Sequence, residues 1–506
     1  MNTPKYVSSE PLVFHLDASE TTKGWDAIKA ECPFLTDWGA KLLQKGLSGY
    51  ARSVLLEKDY VCKDYRNIYS NFYTKKFLNR PDTCSRLHFF SAPDLKMEDI
   101  VFEAGRFQED YLGYSVIQPL RDRCIGRTII NPRKVGLPID RFFCLATSFK
   151  VSINGASYTV QGYPYISQSS EATVCAHSAL WGVCRYLSER YSIYKELYPF
   201  DIIEMTGHSL GRKTPYRGMT YTDYSEILSA FGCYPVIIGP LTGQKGWREN
   251  KESFYNIYSY LESGFPVLVS YKGHVATIVG HTLKEDIDSN TEYGAGYINS
   301  FELLKEFLIV DDNFFPYQLL GHKNNPGSYG DAFRNTLHSL TIDSIATAVV
   351  PLPEKAFLQP DKARKLATKY LNKDGVSDKI FSTLQLLKIS NDERLIFRIF
   401  LTSVNGFKKR KLDYSLDPEG IKDALSRFSL NLRLPHFIWV AEISPYSLYK
   451  THRCIGEIVL DASSSFSECE PIYIRIGQSL YYSERVQEIK DASHHFPQYT
   501  HNLGER

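Results

Sequence analysis

The sequence holds no CxxC pair, although it carries ten cysteines in 506 residues. Zinc ribbons and thioredoxin-type redox motifs depend on that paired spacing, so neither is indicated. The opening "MNTPKYVSSEPLVFHLD" lacks a basic start followed by an apolar run. With no secretory leader read there, the scattered cysteines suit reduced thiols better than a disulfide framework. Neither sign of charge is in excess: 59 Lys plus Arg face 57 Asp plus Glu, a formal charge of +2. That balance argues against nucleic acid and against a membrane surface as partner. No window approaches the roughly 18 apolar residues that a spanning helix requires. The expectation is a soluble, unexported, cytoplasmic protein without internal repeats.

What the sequence does have is material for a core. Its residues are 43% hydrophobic and 14% aromatic, enough at this length for two or three domains. From about Gly24 to Phe77 the pattern is helical, with "AKLLQKGLSGYARSVLL" carrying apolar residues at three- and four-residue spacing. "RLHFFSA", "YLGYSVIQPL" and "RTIINP" then read as short strands. Asn154-Gly155 in "SFKVSINGASYTVQGY" predicts a type I′ hairpin, because that dipeptide tolerates two successive positive φ angles. A helix follows from Ala176 to about Tyr191, with Ala176, Ala179, Leu180, Val183 and Leu187 on one face. "FPVLVSY", "HVATIVGHT" and "EFLIVDD" read as three more strands, separated by Lys272-Gly273 and by a polar insert around Asp286 to Gly296. From about Pro351, charged helical text ("DKARKLATKYLNK", "PEGIKDALSRF") precedes strands ("HFIWVAEI", "CIGEIVLDA", "IYIRIG"). The division predicted is an N-terminal accessory α+β region over 1–158, a central domain over 159–350 and a C-terminal α+β accessory domain over 351–506.

Chemistry concentrates in the central part. In "SSEATVCAHSALWGVCRYL" a cysteine, Cys175, stands at the start of the helix. A helix N-terminus supplies partial positive charge and free N–H groups, which favour a thiolate and can hold an oxyanion. A nucleophilic thiol also needs a base, and the base needs an orienting group. His177, two helical positions on, is turned roughly 200° from Cys175 and reads as a polar surface or supporting residue. His274 is the better base, because it opens a strand directly after a glycine. The following strand ends in "IVDDN", which offers Asp311, Asp312 and Asn313 as orienting groups. Alternate residues on a strand share a face, so Asp311 and Asn313 would point one way and Asp312 the other, and the strand pattern alone leaves both acids open.

Cysteine on a helix, histidine on a strand and an acid at the end of the next strand resemble the papain-like cysteine peptidase superfamily. Within it, "PYISQSSEATVCAHSALW", "GHVATIVGH" and "VDDNFFPY" are most similar to the compact bacterial peptidases related to bacteriocin-leader-processing enzymes. The resemblance spans about Tyr163 to Pro316. It implies an α+β fold in which a helix carrying Cys175 packs on an antiparallel sheet carrying His274 and Asp311. It further implies that Cys175 attacks, His274 deprotonates the thiol and protonates the leaving amine, and Asp311 holds the imidazole. Gln168 would join the Cys175 N–H in the oxyanion hole; it lies seven positions before Cys175, where the family has about six. The implied function is an intracellular cysteine protease acting on a protein or peptide substrate, without metal or organic cofactor. The flanking regions would select the substrate or a protein partner. Two alternatives are a non-catalytic interaction module of the same fold, and amide chemistry on a non-protein or side-chain amide, such as transfer or deamidation.

Other motifs read less sharply. "GHSLG", Gly207 to Gly211, matches the G-x-S-x-G nucleophile elbow, but Pro215 and Gly218 interrupt the helix that Ser209 would need, so a loop is expected. Cys175, His177 and Cys184 lack the spacing of a zinc site. The basic run "FKKRKL", Phe407 to Leu412, reads as a solvated helix end or loop. Tyr60, Tyr65, Tyr69 and Tyr73 read as an amphipathic packing face.

Overall fold

The computed structural model describes the chain except residues 1–9, 17–20, 138–141, 170, 206–217, 242–249, 272, 285–295, 326, 333–339, 417–423, 484, 490–491 and 500–506. Ser209 and the rest of "GHSLG" therefore lie outside the described residues, as do most of the polar insert and Lys272. Helix and strand are nearly balanced, at 34% and 32%, with antiparallel sheets, which is the α+β class. No helix among the described residues is long and apolar enough to cross a membrane.

The chain groups into two compact units. The first takes the described residues of Met1–Thr242, Pro266–His281 and Glu306–Pro351; the second takes those of Gly243–Phe265, Thr282–Lys305 and Leu352–Arg506.

In the first unit, Leu12–His15, Ser53–Tyr60, Cys84–Phe90, Tyr111–Ile117 and Ile125–Ile130 form an antiparallel meander in sequence order. The helical reading of 24–77 is corrected at Ser53–Tyr60, which is a strand. The helix Asp37–Leu47 stops because Gly49 takes φ +84°, and the β-rich "SVLL" beyond it finds two strand neighbours. The Asn154-Gly155 hairpin forms as expected, with φ +46° and +91° at its two turn residues. Tyr65 and Tyr73 are buried with ring centroids 6.0 Å apart, a packing face.

The second sheet of this unit runs Gln318–Leu320, Leu304–Val310, His274–Leu283, Val267–Tyr271, Thr347–Leu352, Tyr234–Ile238, with Phe142–Cys144 added to His274–Leu283. We call Val267–Tyr271 β1, His274–Leu283 β2, Leu304–Val310 β3, and the helix Cys175–Arg190 α1. β1 and β2 pair antiparallel, Tyr271 opposite His274. α1 is buried on more than the single face expected, including His177, Ser178, Trp181, Gly182 and Cys184. A helix apolar nearly all round belongs in an interior. Gly182 lets it approach closely, since a Cβ there would stand 3.1 Å from the Pro164 carbonyl oxygen.

The second unit has a sheet in which Tyr297–Asn299 pairs parallel to Leu395–Ser403, followed by Phe437–Pro445, Gly456–Asp461, Pro471–Ile476, Ser479–Tyr482 and Arg485–Glu488. Phe400, Val440, Val459 and Tyr473 form part of its core. The helix Lys251–Glu262 joins this unit: Glu262 accepts from Arg398 Nε at 2.8 Å, and Ser263 Oγ accepts from the Leu401 N–H at 2.7 Å. The basic run departs from expectation. It lies within the helix Val404–Leu416; Phe407 is buried, and Lys411 is buried with its ammonium on both oxygens of Glu457, at 2.8 and 2.7 Å. A buried cation persists where a carboxylate neutralises it.

Candidate active site

The loop ahead of α1 is fixed by its own side chains. Ser169 Oγ accepts from the N–H groups of Ala172 and Thr173, at 2.9 and 3.0 Å, and Thr173 Oγ1 accepts from Ser169 N–H at 2.8 Å. Glu171 is gripped by Arg80 at 3.2 Å and Lys76 at 3.5 Å. Val174 has no side-chain oxygen to cap the helix. His177 does that work from inside the first turn, its Nδ1 accepting from the Val174 N–H at 3.3 Å. This corrects the surface reading of His177, which is 1% exposed. Burial pushes its imidazole down to about 4, so it stays neutral and keeps the lone pair that the cap requires. Further along α1, the Trp181 indole N–H donates to buried Asp64 at 3.0 Å, and Arg127 pairs with the same carboxylate at 2.7 Å.

Cys175 emerges at the first position of this anchored helix, where backbone N–H groups have no intrahelical acceptor. All ten cysteines are free thiols. Nine are buried and Cys175 is partly exposed. Burial raises the thiols of Cys233, to about 12, and of Cys469, to about 11, against ionisation.

His274 is presented by the turn between β1 and β2, where Gly273 adopts φ +79°, a conformation that glycine takes without strain. Cys175 lies close enough to act on its charge, and its Nε2 hydrogen-bonds to Asp311 Oδ2. With Nε2 taken, Nδ1 is the nitrogen left for the thiol. Burial alone would push the imidazole down. The Asp311 charge and hydrogen bond, with the Cys175 contact, outweigh it and hold His274 up at about 11.

Asp311 follows the last residue of β3 and is 2% exposed. Its Oδ2 accepts from Tyr329 at 2.7 Å as well as from His274; its Oδ1 accepts from the Asn313 N–H at 2.8 Å and from Asn313 Nδ2 at 3.0 Å. Burial raises a carboxyl, but here the His274 charge and these donors prevail and the pKa is lowered. Asp312 also sits in the site, its nearest ligand-type atoms within 4.8 Å of those of His274 and Asp311. That triplet could be taken for a metal centre. Both Asp311 oxygens and His274 Nε2 are spent on hydrogen bonds, so it reads as a hydrogen-bonded chain.

The structure thus brings together Cys175, His274 and Asp311. Gln168 is half-buried in the loop before α1, and no hydrogen bond among the described residues ties its side chain to the other three. The sequence reading missed Tyr329, the Asn313 donors and the His177 cap. Tyr329 lies 18 residues past Asp311 in "NNPGSYGD", a stretch without periodicity, so nothing in the text pointed to it.

No family model matches this chain, and a search of curated proteins finds no match either.

Proposed function

We propose that the chain is an intracellular cysteine peptidase of papain-like architecture, cutting peptide bonds of a protein substrate through Cys175. The observation that carries this reading is the convergence of the partly exposed Cys175, His274 and the buried Asp311, with Cys175 among the groups that act on the imidazole and Asp311 hydrogen-bonded to it. A histidine held up at about 11 is an imidazolium at neutral pH, which favours a thiolate partner. The thiolate attacks the substrate carbonyl carbon, forming a C–S bond and pushing an electron pair onto oxygen. The Cys175 N–H at the helix start is one donor to that oxyanion, and Gln168 is assigned as the second by the family resemblance. Collapse expels the amine, which takes the imidazolium proton. Neutral His274 then removes a proton from water, the hydroxide attacks the thioester, and the thiolate leaves.

Asp311 keeps the ring oriented and its charge favours the imidazolium form. Regions 1–158 and 351–506 are proposed to select the substrate or a protein partner. The test compares new peptide termini in cells producing the native chain with those producing Cys175→Ala. Termini present only with the native chain support the peptidase. Identical sets in the two samples remove it in favour of a non-catalytic module or of chemistry on another amide.

A further inference from the structure

Two adjacent carboxyls stand at the end of β3, and their surroundings differ. Asp311 receives four hydrogen bonds, two on each oxygen. Asp312 is 5% exposed, and its Oδ1 receives a single bond, 3.2 Å from Asn313 Nδ2. Its Oδ2 is buried with no hydrogen-bond partner among the described residues. The groups facing Asp312 are Asp311, His274, Arg123 and Tyr165, whose hydroxyl donates to the Asp312 carbonyl oxygen at 3.1 Å. Two carboxylates this close in a dry site do not both ionise. Four donors decide which one does, so the proton stays on Asp312. Burial first, then the Asp311 charge, raises its pKa to about 7, in keeping with that assignment.

Asp312 lines a cavity of about 10 Å³ together with Cys175, Ser178, Thr277, Tyr163 and Tyr165. That volume takes one water and nothing larger. Ser178, one turn along α1 from Cys175, contributes a second buried oxygen with no hydrogen-bond partner among the described residues, at 7% residue exposure. A held water needs two to four polar partners, and Asp312, Ser178 and Tyr163 line this pocket.

We propose that Asp312 is a positioning residue of the Cys175 site that works as a neutral acid, donating its carboxyl proton in a hydrogen bond to one water held beside Cys175. Ser178 holds the same water, which turns a hydrogen toward the sulfur and favours the thiolate. The inference rests on the nucleophile reading above and adds to it a second acid with a different task from Asp311. Loss of the Asp312 proton removes the donor and sets a negative charge facing the thiolate, so Cys175 reactivity falls as pH rises through about 7.

The experiment is the rate of iodoacetamide alkylation of Cys175 in the full chain from pH 5.5 to 9, followed by mass spectrometry of all ten cysteines. The native chain is expected to show a fall of about threefold to tenfold centred near pH 7. Asp312→Asn, which keeps a neutral donor, is expected to retain the pH 6 rate and lose the fall. Asp312→Ala should be slow throughout, and Ser178→Ala should be a few-fold slower with the fall intact. A native profile with no downward step between pH 6 and 9 overturns the inference whether or not the variants fold. An Asp312→Asn profile that superposes on the native one does the same. Fast Cys175 alkylation with either result leaves the nucleophile standing. Cys175 labelled no faster than the other nine thiols removes both.

Discussion

Tyr329 donates its hydroxyl to Asp311 Oδ2 at 2.7 Å, the same oxygen that His274 uses. One carboxylate oxygen therefore fixes two rings at once. In Tyr329→Phe the carboxylate keeps His274 but loses a donor, and is freer to rotate. Stability should fall by about 1 kcal/mol, the usual worth of one such bond, read from urea unfolding. Peptide cleavage should fall about threefold to thirtyfold in kcat with KM little changed, since the lost constraint acts on the imidazole.

Asp311→Asn keeps the shape and removes the charge that holds His274 at about 11. Burial is then opposed mainly by the Cys175 contact, and the imidazole falls back toward its ordinary value of about 6.5. Above that value His274 is neutral and the thiol loses its cationic partner, so Cys175 alkylation at pH 7.5 should drop at least about tenfold. Turnover should drop about a hundredfold or more. An unchanged alkylation rate would show that Asp311 does not set the charge of His274.

Much of this site was legible in the sequence, because its parts sit at the ends of strongly patterned elements. Helix α1, the strands of "FPVLVSY" and "HVATIVGHT", and the acid after "EFLIV" are each marked by apolar periodicity that breaks at the functional residue. Pattern fails where partners are distant. Ser53–Tyr60 reads as helix until its neighbours Leu12–His15 and Cys84–Phe90 are known, because β structure is decided by pairing. Lys411 reads as solvated until Glu457, 46 residues on, is placed beside it. His177 was judged by the direction in which it points from Cys175. Its reach back to the Val174 N–H depends on the helix having no other cap.

Among ten cysteines, nine are buried. Brief treatment of the native protein with a thiol reagent should modify Cys175 at least about tenfold faster than any other, since reactivity follows thiolate character and exposure. The remaining nine should react together once urea unfolds the chain. Comparable labelling of Cys469 or Cys233 in the folded state would show those sites to be more open than described.

His177 makes the helix that carries Cys175 sensitive to acid. Its pKa is lowered in the fold, to about 4, so the unfolded chain binds the extra proton first. The stability it contributes is complete above about 6.5 and is lost as pH falls through about 4. His177→Gln keeps an acceptor at the capping position without titrating. Its urea midpoint should depend less on pH between 4 and 6.5 than that of the native chain. His177→Ala should lose about 1 kcal/mol at pH 7.5 through the missing cap.

Arg398 joins Glu262 and Glu442 at 2.8 Å each, with every side chain 3% exposed. Arg398→Ala leaves two buried carboxylates without their cation and should cost about 3–5 kcal/mol. Differential scanning calorimetry would show this as a lowered transition for the unit that contains it. Arg398→Lys should recover only part, since a single ammonium lacks the guanidinium fork.

The covalent path from His274 to Asp311 passes through residues 282–305, which belong to the second unit, as does 243–265. A stop after residue 351 would not leave the second unit's internal segments intact. It would strip Glu262 of Arg398, Ser263 of Leu401 and the strand Tyr297–Asn299 of its neighbour Leu395–Ser403. Recombination at a single breakpoint likewise could not exchange the C-terminal stretch for another without orphaning two internal segments. Replacing the second unit as a whole therefore requires three segments to change together.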